Sequence, residues 1–123
     1  MKIAHLSDPH FGTERPAVAE ALLALVRAQR PDVLLLSGDI TQRARRAQFA
    51  AARAFVERLQ VPQCLAIPGN HDIPLFDLPA RLLRPYAGFR QVFGEELEPS
   101  FENEHLLVLA LNTTRPWRHV DGE

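Results

Sequence analysis

Three short apolar runs, each stopping directly at metal-ligating side chains, constrain this chain more than any other feature. Ile3-Ala4-His5-Leu6 leads into Asp8-Pro9-His10, Val33-Leu34-Leu35-Leu36 into Gly38-Asp39, and Leu65-Ala66-Ile67 into Gly69-Asn70-His71-Asp72. Helical spacing fills the gaps between them. Pro16 to Arg30 opens on a proline, harmless in a first turn where its missing N–H has no partner. Val18, Leu22, Leu25 and Val26 fall on one face of it. Thr41 is placed to cap a second helix reaching Leu59, with Phe49, Ala52, Val56 and Leu59 on one side. The pattern is β-α-β-α-β, and right-handed crossovers make strands 2–7, 33–37 and 63–67 parallel in one sheet. Ligand sites in open α/β sheets form beyond the carboxyl ends of strands. One metal centre built from three strand ends is the economical reading.

The chain has the length of a single domain, at 123 residues. A net charge of −1 gives no electrostatic reason to expect nucleic acid or an anionic membrane. Cys64, the only cysteine, excludes an internal disulfide and reads as a small core residue. No leader-like or bilayer-spanning apolar stretch is visible, so a cytoplasmic location is the default expectation.

Beyond Asp72, Pro74, Pro79 and Pro85 punctuate a segment with a short helix expected at Leu78 to Leu83. Strands at 101–104 and 106–111 are expected to meet at a turn near Asn103 to His105. The glutamates between 95 and 104 read as a solvated loop and strand face, and the tail from Thr113 is polar.

Asp8 and Asp39 are anionic oxygen donors, His10 and His71 offer imidazole nitrogens, and Asn70 an amide oxygen. Such a set without thiolate suits Mn, Zn, Fe or Mg rather than a sulfur-bound structural zinc. On an extended segment Asp8 and His10 would point the same way, and Pro9 biases Asp8 toward that conformation. Gly38 and Gly69 allow sharp turns and close backbone approach. Each motif alone is also ordinary turn chemistry. Their joint occurrence after three strands is what points to a site.

In this order and pattern, Asp8-x-His10, Gly38-Asp39 and Gly69-Asn70-His71-Asp72 resemble the calcineurin-like metallophosphoesterase superfamily. The opening from Ile3 to Gly12 is most similar to its class III cyclic-nucleotide phosphodiesterase branch. The resemblance reaches to about Asn112. It implies the first half of a β-sandwich with flanking helices and a pair of divalent cations. Asp8 and His10 would hold the first ion, Asp39 would bridge both, and Asn70 would bind the second. His71 would assist departure of the leaving oxygen, and Asp72 would orient or polarise His71. The implied reaction is phosphodiester hydrolysis, with a cyclic nucleotide as favoured substrate and a hydroxide bridging the metals as nucleophile. A phosphomonoester, nucleic-acid end or pyrophosphate fits the same residues. A non-catalytic metal-binding fragment is the rival from another class.

The family's later histidine and Gly-His-x-His motif have no counterpart among residues 1–123. His105 at a hairpin tip and His119 near the end both read as surface residues, and His5 as a satisfied core or sheet-face histidine. The expectation is a truncated enzyme whose C-terminal half is missing, with a weakened second metal site and exposed apolar surface that invites self-association. Arg43, Arg45 and Arg46 either steer a phosphorylated substrate or form a solvated helix start. Asn112 to Arg115 either line the site or form a turn.

Overall fold

The computed structural model describes residues 1–117, and the histidine at 119 lies outside the described residues. Strands β1 (Ile3–Ser7), β2 (Val33–Ser37) and β3 (Gln63–Ala66) form a parallel sheet in that spatial order. Ser7 pairs with Ser37 and Leu36 with Ala66, so the carboxyl ends are level. The crossovers are α1 (Pro16–Gln29) and α2 (Arg46–Leu59). Two short helices follow, α3 (Leu78–Leu83) and α4 (Ala87–Phe93), and then an antiparallel hairpin of β4 (Ser100–Glu102) and β5 (Leu107–Leu109). The α/β architecture read from the sequence is the observed one.

Alternation decides which sheet face is covered. Leu34, Leu36 and Ala66 are buried with Leu23 and Val26 of α1, Phe49, Ala52, Phe55 and Leu59 of α2, and Phe89 of α4. Each fully buried large side chain here stabilises the fold by about 1.5–3 kcal/mol. On β1, by contrast, Ile3, His5 and Ser7 are exposed on the opposite face. His5 is therefore a sheet-face residue, bonded through Nε2 to Ser37 Oγ at 2.7 Å.

Several expectations are corrected. The buried stripe of α1 is Ala19, Leu22, Leu23 and Val26, while Val18 and Leu25 are exposed. Thr41 does not cap α2, which begins at Arg46. It is fully buried and bridges in parallel to Phe11. Cys64 is exposed, because β3 is an edge strand. Helix α4 was not anticipated, and the hairpin strands are shorter than expected. The hairpin turn itself lies where it was placed, with Asn103 Oδ1 accepting from the amides of His105 and Leu106. His105 is exposed there. Phe76, Leu78, Leu82 and Leu83 around α3, Leu107 and Leu109 on β5, and Leu111 just beyond it, are exposed apolar side chains. Among the described residues no helix is long and apolar enough to cross a membrane.

Candidate metal centre

The loops that leave β1 and β2 are zipped together by backbone bonds. Asp8 N donates to Ser37 O, His10 N to Asp39 O, Phe11 N to Ile40 O, and Gln42 N to Phe11 O, all at 2.8–3.0 Å. This pairing overrides the expected extended conformation of Asp8. Asp8 sits at φ 54° and His10 at φ 48°, both left-handed. Non-glycine residues in that region cost roughly 1–3 kcal/mol each, and such strain gathers at functional sites. Two glycines make the close approach possible. A Cβ at Gly38, where φ is 75°, would strike the Asp8 carboxylate, and one at Gly69 would strike Asp39.

The third loop is fastened by Asp72. Its Oδ2 accepts from Ile40 N and Gly69 N, and its Oδ1 from the amide and hydroxyl of Thr41, at 2.7–3.0 Å. Burial pushes this carboxyl up to about 6, although all four hydrogen bonds pull the other way. The resemblance implies that Asp72 orients or polarises His71. In the structure its oxygens serve these loop donors, and His71 Nδ1 lies 2.8 Å from the Gln42 carbonyl. Asp72 thus ties the Gly69 turn to Ile40 and Thr41, next to Gln42.

His10, Asp39 and His71 each present a ligand atom, all within 4.8 Å of one another. Asp39 Oδ2 lies 3.7 Å from His10 Nε2 and 4.0 Å from His71 Nε2. Its Oδ1 accepts from His71 N at 2.9 Å. The two imidazoles meet edge to face with centroids 5.2 Å apart. A carbonyl cannot donate, so His71 Nδ1 carries the hydrogen toward Gln42, and Nε2 of the neutral ring holds a lone pair. That nitrogen lies 4.0 Å from Asp39 Oδ2, which places two acceptor atoms near one another. Such an arrangement is satisfied by a cation or a proton between them. His10 Nδ1 is buried with no hydrogen-bond partner among the described residues. These donors fit a divalent cation in chemistry and spacing.

Asp8 stands beside this triad. Its Oδ1 accepts from Asp39 N at 3.0 Å and its Oδ2 from Ser7 Oγ at 2.5 Å. The Ser7 hydroxyl, then the Asp39 amide, hold the Asp8 carboxyl below the usual carboxylate range. Asn70, half-buried, opens the 3-10 turn Asn70–Asp72 next to Gly69. All three motif segments thus converge on one end of the sheet. Asn112 pairs with Thr114, which also pairs with Tyr86 Oη at 2.8 Å. Sequence reasoning missed Gln42 because a backbone carbonyl has no residue signature, and it misread Thr41 as a helix cap.

A family model described as calcineurin-like phosphoesterase matches residues 1–121. A protein named as a probable cyclic nucleotide phosphodiesterase, from Synechococcus sp., is 30% identical over 99% of this chain and 47% of its own length. The glycerophosphodiester phosphodiesterase GpdQ of Enterobacter lignolyticus is 36% identical over 58% of this chain and 30% of its own. The UDP-2,3-diacylglucosamine pyrophosphatase LpxG of Chlamydia trachomatis is 26% identical over 92% of this chain and 42% of its own. The chain spans less than half the length of these curated relatives.

Proposed function

The chain belongs to the calcineurin-like phosphoesterase family, and from that premise we propose that it serves metal-dependent hydrolysis of a phosphodiester, with a cyclic nucleotide as the favoured substrate. The Synechococcus relative bears a cyclic-nucleotide activity in its name and aligns with nearly the whole chain. The observation that supports the reading most directly is the approach of His10 Nε2 to within 3.7 Å of Asp39 Oδ2, with the Asp8 carboxylate bonded to the Asp39 amide beside them.

Asp8 and His10 would hold one divalent cation, Asp39 would bridge to a second, and Asn70 would contribute to that second ion. Bound there, such ions activate water and neutralise charge on a phosphate. The chain's own residues supply the rest. With Nδ1–H engaged by Gln42, His71 Nε2 is the nitrogen that would carry a proton toward a leaving oxygen. Asp39 lies where it stabilises the imidazolium of the protonated ring. Asp72 acts as a positioning residue through Thr41 and Gln42. The exposed leucines of β5 support self-association as a further property of this chain.

Hydrolysis of bis-p-nitrophenyl phosphate with Mn²⁺, with and without chelator, tests the reading. Turnover that chelator abolishes is the expected result. Turnover insensitive to chelator refutes it.

A further inference from the structure

The loop between β2 and α2 is tied at every amide from Thr41 to Arg45. Thr41 N donates to Asp72 Oδ1 at 2.7 Å and Gln42 N to Phe11 O at 3.0 Å. Arg43 N and Arg45 N both donate to Gln48 Oε1, at 2.8 and 3.5 Å, and Ala44 N donates to Thr41 Oγ1 at 2.9 Å. Such a loop is ordered before any ligand arrives, so little is lost in holding it still.

On this loop Arg43 Nη1 donates to Gln42 O at 3.3 Å. That is the carbonyl that also takes the Nδ1 hydrogen of His71. Both groups reach the same oxygen, Nη1 at 3.3 Å and Nδ1 at 2.8 Å, so the guanidinium shares its anchor with the Nδ1 edge of the imidazole. Arg53, Arg58 and Arg90 each make an ion pair. Arg43 is exposed and forms none with a carboxylate among the described residues. Its charge thus has no carboxylate partner among the described residues, on the loop whose Gln42 carbonyl holds His71, and its planar fork matches phosphate oxygens.

We propose that Arg43 is the phosphate-contacting residue of this site, binding a nonbridging phosphoryl oxygen beside His71. The inference rests on the phosphoesterase reading for its location and deepens it toward substrate charge. A single positive charge attracts a dianionic phosphomonoester more strongly than a monoanionic diester. Arg43 thus broadens the site toward terminal phosphates.

The test is calorimetric titration of inorganic phosphate into the Mn²⁺-loaded chain, paired with kinetics, for wild type, Arg43→Ala, Arg43→Gln and Arg43→Lys. Loss of a charge-assisted contact is expected to weaken phosphate binding, and to raise KM, by about tenfold in the Ala and Gln variants. The Lys variant recovers part of the loss, Mn²⁺ affinity stays constant, and kcat changes little. The rise in KM is larger for p-nitrophenyl phosphate than for bis-p-nitrophenyl phosphate. Equal phosphate affinity in wild type and Arg43→Ala overturns the proposal, as does a wild type that binds no phosphate. Phosphate binding that depends on Arg43 in a chain without turnover sinks the hydrolase reading and leaves this one standing.

Discussion

The Gln42 carbonyl lies 2.8 Å from His71 Nδ1 and thereby sets the tautomer of that ring. Orientation of a site imidazole by a neighbouring acceptor is a recurring device of metal centres. Here the acceptor is main chain, and its position depends on Thr41 and on the buried Asp72 carboxylate.

Asp39→Asn removes the charge that faces both imidazoles. Mn²⁺ affinity, read by calorimetry, is expected to fall by about a hundredfold or more, beyond the 10–100-fold typical of partners that only support a ligand. Turnover disappears with it. Retained metal stoichiometry in this variant refutes the bridging role.

His71→Ala separates ligand from proton carrier. The expected result is a fall in kcat of about 10²–10⁴-fold with Mn²⁺ affinity nearly unchanged. A parallel loss of metal assigns His71 to the coordination sphere instead.

Asp72→Asn leaves buried donors of the Thr41 or Gly69 loop without an acceptor, since one carboxamide oxygen replaces two carboxylate oxygens. At pH 7 the metal-free chain is expected to lose about 2–4 kcal/mol in urea unfolding. The wild-type group also has a pH signature. Its folded pKa of about 6 lies above the ordinary 3.8, so the folded state binds this proton more tightly. Its contribution is full below about pH 4 and is lost as the pH rises through 6. The stability of wild type minus that of Asp72→Asn is therefore expected to fall between pH 4 and pH 7. A rising difference refutes the assignment.

The leucines on β5 give a test of association. Sedimentation of the wild-type chain is expected to show concentration-dependent oligomers, and Leu107→Glu with Leu109→Glu is expected to return it to monomer. These side chains are 55% and 66% exposed, so the double variant should fold unchanged. A monomeric wild type removes the idea.

The three strand ends were legible because the apolar runs stop abruptly at charged or glycine residues. The order of Asp8, His10, Asp39, Asn70 and His71 then followed from topology. The local geometry of the first loop was not legible. Pro9 argues for an extended Asp8, but inter-loop amide bonds outweigh that local preference. Leu25 and Val18 look like core residues by periodicity, yet the packed stripe keeps only Leu22 and Val26 of the expected face and adds Ala19 and Leu23. Helix α4 was hidden by Gly88, a poor helix former. Its missing side chain is explained by contact, because a Cβ there would strike the Phe49 ring.

The pairing of the first two loops through main-chain amides has a consequence for metal choice. The socket is assembled by the polypeptide itself, so an incoming ion need not organise it. Exchange of one divalent ion for another should leave the backbone where it is, and discrimination among ions should come from donor chemistry rather than from a cavity that reshapes to suit its guest.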